Sequence, residues 1–510
     1  MIAVLDFGSQ FAHLIARRVR DLGVKTLIFP FDIPAAELAE RKISGIIFSG
    51  GPSSVLEKKS PRPDKGIFTL GIPILGICYG HQVMAHMLGG KVARGRDREF
   101  GKEILRVKES AGIFQNLSLR ETVWFSHGDQ VVELPRGFKS TASTPACKHA
   151  AFADEDSRLS GIQFHPEVTH TEHGRKILKN FIYTLCRAKK DWVIASVEEN
   201  IIAETRALVG KEHVLVGISG GVDSLVAATL IHRAIGNRLH AVLVDTGLMR
   251  KGEILEVASY LRKHGFTNLH AVDAKELFLR RLRGITDPEQ KRRIIGHTFV
   301  NVFEKAIAGE LKRHAIRFFA QGTIYPDRIE SAGTGGTAAK IKSHHNLALP
   351  EKLGFTILEP LKDLYKDEVR RIGLHLGLPK ELLFRHPFPG PGLGIRIVGE
   401  VTREKLDILR EADAIFIEEL RRAKEYDKIW MAFAALLSLK AVGVMGDART
   451  YEYMVALRAV DSVDTMSADW HKIPAPLLEK ISNRIVREVR GVNRVLYDVT
   501  QKPPGTMEYE

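Results

Sequence analysis

Two short stretches combine residue types that do chemistry: SGGVDS at 219–224 and GICYG at 76–80. In the first, the apolar run HVLVGI leads through Ser219, Gly220, Gly221, Val222, Asp223 and Ser224 into a second apolar run with helical spacing. A strand that turns through glycines into a helix leaves backbone N–H groups aimed at one point, with the positive end of the helix dipole behind them. That is a cradle for phosphate. Ser219 and Ser224 add hydroxyl donors, and Asp223 adds a negative charge that suits such a site only with Mg2+ between the anions. No Gly-Lys-Ser/Thr follows, so this is not a Walker loop. The simplest alternative is a tight turn whose Asp or Ser caps the helix.

At the centre of GICYG stands Cys78, in the Gly-x-nucleophile-x-Gly form of a strained strand-to-helix turn. A helix N-terminus favours the thiolate. Cys147 and Cys186 lie in no such context. A thiolate nucleophile needs a base, and GIQFHPEV at 161–168 offers His165, with Glu167 on the same side of an extended segment to hold its tautomer. The turn FSGGPSS at 48–54 places the Gly51 N–H, together with that of Tyr79, to form an oxyanion hole. Isolated histidines such as His13 and His86 are read as structural.

Positioning these groups requires regular elements. Apolar runs such as IAVLDF, GIIFSGG, HVLVGIS and LHAVLVDTG alternate with helical patterns, as in parallel sheets covered by helices on both faces. They are too many for one sheet, and 510 residues suggest roughly three domains. The expected fold is α/β: two doubly wound parallel-sheet domains, 1–190 and 191–385, followed by a smaller α+β C-terminal domain, 386–510. The boundaries rest on RAKKDWV at 187–193 and on the Pro/Gly-rich RHPFPGPGLGIR at 385–396. The longest apolar run, MAFAALLSLKAVGVM at 431–445, is broken by Lys440, is too short for a membrane span and reads as a buried helix.

The start MIAVLDFGSQ resembles a first strand rather than an export signal, and three cysteines cannot build a disulfide framework, so a cytoplasmic protein without a membrane partner is expected. The net charge of +14 is spread along the chain, and no zinc or RNA-binding motif accompanies it. Phosphate-bearing small substrates are therefore expected rather than nucleic acid.

The Cys/His/Glu layout resembles the class I glutamine amidotransferases, which implies hydrolysis of glutamine to release ammonia. Their pattern also draws in WFSHGDQV, with Ser126, His127 and Asp129 near the glutamine. SGGVDS resembles the N-type ATP pyrophosphatases, which adenylate a substrate oxygen and release pyrophosphate. That implies Asp245 beside the adenosine, a strand-end cap being the alternative, and Asp327 as a further magnesium ligand or lid anchor. Across essentially the whole chain, GICYG, HPEVTHTEHG, SGGVDS, KIKSHHN, EPLKDLYKDEVR, RHPFPGPGL, VGVMGDARTYEY and KPPGTMEYE are similar to the glutamine-hydrolysing GMP synthetases.

This resemblance implies XMP, ATP and glutamine as substrates, an adenylyl-XMP intermediate, and a homodimer formed through the C-terminal domain. It makes Arg396, Arg458 and Lys502 candidate anchors for the XMP phosphate, with Glu508 accepting from the purine or from a tail contact. The stretch from Asp327 to Pro350, carrying Lys340, Lys342, His344 and His345, is read as a lid; the His pair lacks the partners a metal site needs. Three departures from the family pattern stand out: LALP after KSHHN, Met431 where glutamine is usual, and His81 where methionine is usual. The rival readings are another SGGVDS ligase or thiolase, acting on NAD precursors or tRNA, and a non-catalytic binding protein on the same fold.

Overall fold

The computed structural model describes residues 1–9, 11–154, 156, 158–314, 316–327, 354–462 and 467–510, with the side chains of 96–99 and 310–312 excepted. Lys340, Lys342, His344, His345 and the LALP stretch lie outside the described residues. The chain divides into two compact units, Met1–Val197 and Glu198–Glu510.

In the first unit the apolar runs become strands, β1 (Ile2–Asp6), β3 (Gly45–Phe48), β4 (Ile74–Ile77) and, later in the chain, β9 (Leu159–Ile162) being buried almost throughout and β2 (Thr26–Pro30) forming a half-buried edge. They pair in parallel in the order β2-β1-β3-β4-β9. The nine-stranded sheet then continues antiparallel through β8 (Ala151–Asp154), β7 (Phe138–Ser143), β5 (Lys91–Val107) and β6 (Arg120–Glu133). The expected α/β class holds, and this extension adds to its parallel core an antiparallel part that no apolar run announces. β6 alternates buried and exposed residues, the mark of a strand with one wet face, instead of forming an apolar run.

The second unit holds a wholly parallel sheet, ordered β12-β11-β10-β13-β14: β10 (His213–Ile218), β11 (Leu239–Asp245), β12 (Leu269–Asp273), β13 (Ile316–Ala320) and β14 (Thr356–Leu358). A further sheet runs through β15 (Ile397–Val398), β16 (Met431–Met445), β17 (Ala448–Asp461) and β18 (Asp469–Trp470), with β19 (Val492–Tyr497) pairing β17. One apolar core joins the two sheets, reaching from Leu215 and Val242 to Leu436 and Val455.

β16 is the run expected as a buried helix. Ala, Leu and Met fit either state, so the local pattern does not separate them. Antiparallel pairing with the β-branched and aromatic β17 decides for strand. Met431 to Leu436 are buried, whereas Val442 and Val444 further along are exposed.

Candidate active sites

β4 ends at Ile77, Cys78 takes φ 53° and ψ −106°, and the helix Tyr79–Met87 begins at once. A non-glycine residue held at positive φ is strained, as a nucleophile elbow requires. The flanking glycines answer to close approach: a Cβ on Gly76 would lie 2.5 Å from the Gly80 carbonyl oxygen, and one on Gly80 would lie 2.6 Å from that of Phe48. Cys78 is buried, its Sγ 3.8 Å from the Ser126 carbonyl.

His165 is buried with its Nδ1–H donating to Glu167 Oε1 at 2.7 Å. Its backbone N–H donates to Trp124 O at 3.0 Å, the Thr171 hydroxyl donates to its carbonyl at 2.6 Å, and Phe11 sets an edge against the ring at 5.4 Å. The orientation is thus over-determined, and the other ring nitrogen is left for Cys78. Burial works against a charged imidazole here, but the Glu167 carboxylate and the hydrogen bonds to Cys78 and Glu167 outweigh it, pushing the His165 pKa up to about 10. At neutral pH His165 is therefore an acid with a proton to give.

A Cβ placed on Gly50 would fall 3.2 Å from His165 Cε1 and 3.6 Å from Cys78 Cβ, so the turn carrying Gly50 and Gly51 abuts the pair. Tyr79 is the first residue of its helix, where backbone N–H groups lack intrahelical partners; its hydroxyl donates to Pro61 O at 2.6 Å. Of the trio drawn in from WFSHGDQV, Ser126 reaches Cys78 through its carbonyl, and Asp129 accepts from the Ser54 hydroxyl. His127 is buried and donates Nδ1–H to Asp129 O at 2.8 Å, turned away from solvent.

His81, three residues past the nucleophile, is fully buried, with Nδ1 3.2 Å from Gln163 Oε1 and its ring 4.5 Å from Phe152. Burial, and after it the neighbouring His127, depress its pKa from 6.5 to about 3. The unfolded chain binds more protons between those two values, so stability is lost as pH falls through that window. In His81→Met this loss should vanish. Its thermal midpoint relative to the parent should rise between pH 8 and pH 5, by the equivalent of about 2 kcal/mol. A difference constant across that range would refute the assignment.

In the second unit β11 lies on one side of β10 and β13 on the other, so the chain reverses direction across the sheet at the C-terminal end of β10, where open α/β sheets bind ligands. The loop at that point is Ser219 to Gly221, followed by the helix Val222–Ile235. Gly220 adopts φ 81°, closed to most side chains. Ser224 Oγ donates to Gly221 O at 3.0 Å, and Ser219 Oγ accepts from Gly221 N–H and lies 3.2 Å from Ser224 Oγ. Val222 points into the core.

Two cations flank this loop. Lys366, which opens the helix Lys366–His375, places Nζ 2.7 and 2.6 Å from the two carboxylate oxygens of Asp223. Arg385 donates to Gly220 O and pairs with Glu253, whose pKa burial raises against the pull of that guanidinium. Sequence reasoning assigned neither a role, although both lie in quoted motifs, EPLKDLYKDEVR and RHPFPGPGL. Behind Arg385, His386 accepts from Ala432 N–H on Nδ1 at 3.0 Å and donates from Nε2 to Tyr426 O at 3.0 Å; burial lowers its pKa to about 4, so it anchors as a neutral ring.

Asp245 accepts from Gly247 N–H at 3.0 Å and lies 3.3 Å from Lys275 Nζ, which is the geometry of the strand-end cap. Asp327 Oδ2 accepts from Ile324 N–H at 3.3 Å in the turn after β13. Both sit at the same sheet edge as the loop. The donor set of Asp223, Ser219 and Ser224 is all oxygen, as Mg2+ prefers.

Arg396 and Arg458, expected as phosphate anchors, are buried and committed internally. Arg396 binds Glu508 through two bonds of 2.9 and 2.8 Å and lies over the Phe433 ring at 4.1 Å. Its Nη1 is buried without a partner among the described residues. Arg458 pairs with Asp498 at 2.6 Å and donates to the carbonyls of Thr500, Thr506 and Met507. Both therefore tie down the tail, and of the two roles foreseen for Glu508 the structure shows the tail contact. Lys502 exchanges backbone hydrogen bonds with Ala468. Met431 packs with Phe433, Val460, Met507 and Tyr509, where glutamine would have to bury an amide.

The glutamine amidotransferase class-I family matches residues 3–185, the NAD synthase family residues 194–280, and the GMP synthase C-terminal domain family residues 418–509. The chain is 52% identical over 510 residues to the GMP synthase (glutamine-hydrolyzing) of Aquifex aeolicus, covering 100% of this chain and 99% of that one. It is 53% identical over 510 residues to the protein of the same name from Carboxydothermus hydrogenoformans, with 100% and 99% covered.

Proposed function

The chain belongs to the glutamine-hydrolyzing GMP synthase family, ligases that use ATP and glutamine to aminate XMP to GMP, and from that premise we propose how its residues divide the work. In the module 1–190 the Cys78 thiolate attacks the side-chain amide carbon of glutamine, while the Gly51 and Tyr79 N–H groups hold the oxyanion. His165 passes its proton to the departing ammonia, and Glu167 keeps the imidazole oriented. Water then enters with His165 as base, the thioester breaks, glutamate leaves and the thiolate returns.

In the module 191–385 the Ser219–Ser224 loop holds the β- and γ-phosphates of ATP, flanked by Lys366 and Arg385, with Asp245 toward the adenosine and Asp327 at the rim. Asp223 with the Ser219 and Ser224 hydroxyls would hold Mg2+, which would supply charge neutralisation on the phosphates. The O2 of XMP attacks the α-phosphorus and pyrophosphate leaves; ammonia adds at C2 and AMP departs with that oxygen. The module 386–510 presents Lys502 and the tail to XMP, with Arg396 and Arg458 as positioning residues. The observation that carries this reading is the presence in one chain of a Cys78–His165–Glu167 constellation and a glycine loop between two cations.

The intermediate has an isotopic signature. XMP labelled with 18O at O2 should deliver the label to the phosphate of AMP; label recovered in pyrophosphate or in water would eliminate the adenylyl-XMP route.

The protein acts as a cytoplasmic homodimer in this proposal; among the described residues no helix is long and apolar enough to cross a membrane. The far end of the β16–β17 hairpin supports pairing: Val444 is 72% exposed and Tyr451 65%, and Val442 is exposed opposite Tyr451. Apolar side chains gathered on one exposed ribbon mark an association surface. Val444→Asp should shift the protein from dimer to monomer in size exclusion with light scattering, and an unaltered dimer would discard this surface.

A further inference from the structure

At the edge of the parallel sheet opposite the nucleotide loop, three histidines converge. His213 is the first residue of β10, His240 the second of β11, and His314 stands just before β13. Because β11, β10 and β13 are neighbours running in one direction, their N-terminal ends share an edge. His213 Nδ1 lies 2.9 Å from His240 Nε2. The rings form a closed triangle, with centroid separations of 5.1 Å for His213–His240, 4.8 Å for His213–His314 and 4.8 Å for His240–His314. One nitrogen from each ring falls within 4.8 Å of the others.

We propose that His213, His240 and His314 form a binding site for a divalent first-row transition-metal ion such as Zn2+, separate from the nucleotide site. Imidazole nitrogens bind such a metal at about 2.0–2.1 Å, which for a tetrahedral ion sets the nitrogens about 3.3–3.4 Å apart. The observed pair at 2.9 Å and the outer limit of 4.8 Å bracket that value, so rotation of the rings suffices to seat the ion. The ligand set is borderline-soft nitrogen, suited to zinc, nickel or copper and ill-suited to Mg2+. His240 is fully buried, whereas His213 and His314 are half-buried and leave the ion an entry path. Three protein ligands leave one position open to water.

Around the triangle, the His270 ring stacks parallel to His240 at 6.0 Å, and Glu212 beside His213 pairs with Arg317 at 3.7 Å. The site lies about 20 Å from Ser219 along β10. An ion bound there joins three strand ends and stabilises the folded chain by mass action without touching ATP.

The test uses the full-length chain, prepared without a polyhistidine tag and stripped with a chelator. A Cys78→Ser background removes the thiolate beside His165, which could itself take up zinc. Titration with Zn2+ alone against a chromophoric chelator should find one site per chain, and Zn2+ should raise the thermal midpoint. His213→Gln and His314→Gln, at half-buried positions, should keep the metal-free midpoint, weaken Zn2+ by at least about tenfold and lose the thermal shift. Co2+ bound in place of Zn2+ should show visible bands that both variants lack. Failure of the parent to bind Zn2+, or equal binding by parent and both variants, would overturn the proposal.

Discussion

Cys78→Ala should abolish glutamine-driven GMP formation, by about 10^4-fold or more, while GMP formation driven by ammonium salts stays within about twofold of the parent. The size of the first effect follows from losing the nucleophile itself: no other side chain near His165 can form the thioester. Cys147 and Cys186 are both buried, and burial pushes the Cys186 thiol up out of the reactive range. The second part follows because free ammonia bypasses the thioester and needs only the adenylating module. Alanine is smaller than cysteine and can hold the same backbone, so the positive φ at Cys78 persists and the turn between β4 and its helix keeps its shape. Steady-state XMP consumption with each nitrogen source measures both arms. If activity with ammonium fell along with that with glutamine, the two chemistries would not be separable as proposed.

Much of this site could be read from the chain because local geometry demanded particular residues. Gly76 and Gly80 are dictated by backbone so close that an added Cβ would lie 2.5 and 2.6 Å from a carbonyl oxygen, and His165 and Glu167 are two apart on one extended segment. Gly220 occupies a backbone conformation that few other residues tolerate. What escaped the reading depends on partners distant in sequence. Lys366 meets Asp223 across 143 positions and Arg385 meets Gly220 across 165, and nothing in either local pattern points to the other. The same holds for Arg396, expected to anchor a ligand, which pairs across 112 positions with Glu508 of the tail. β16 is the fold-level counterpart: its apolar run is helix-compatible in isolation and becomes a strand because β17 is there to pair with it. The antiparallel extension of the first sheet was hidden likewise, since half-wet strands lack the apolar runs that announce buried ones.

Asp223→Asn should reduce GMP formation with either nitrogen source by about 10^2- to 10^3-fold, the loss expected when a charged group is removed from a preorganised phosphate site. Cys78 should remain open to alkylation, which separates this loss from damage to the first module. The neighbouring Lys366 makes the variant more informative than a simple knockout, because two physical accounts of Asp223 coexist in the geometry. If the carboxylate holds Mg2+, the amide keeps the shape, forfeits the charge and shifts half-saturation to higher Mg2+, so activity partly returns as Mg2+ is raised. If the carboxylate only aims Lys366 at the phosphates, Lys366→Ala and Asp223→Asn should lose the same amount, and neither should alter the Mg2+ dependence. Oxygen donors from Asp223, Ser219 and Ser224 favour the first account. Lys366 would then release Asp223 when ATP and Mg2+ enter, and its own ammonium would turn to the phosphates. Lys366→Ala should therefore weaken ATP while leaving the Mg2+ midpoint near that of the parent. A Mg2+ curve in Asp223→Asn that superimposes on the parent's would remove the metal from Asp223 and leave it as the guide for that lysine.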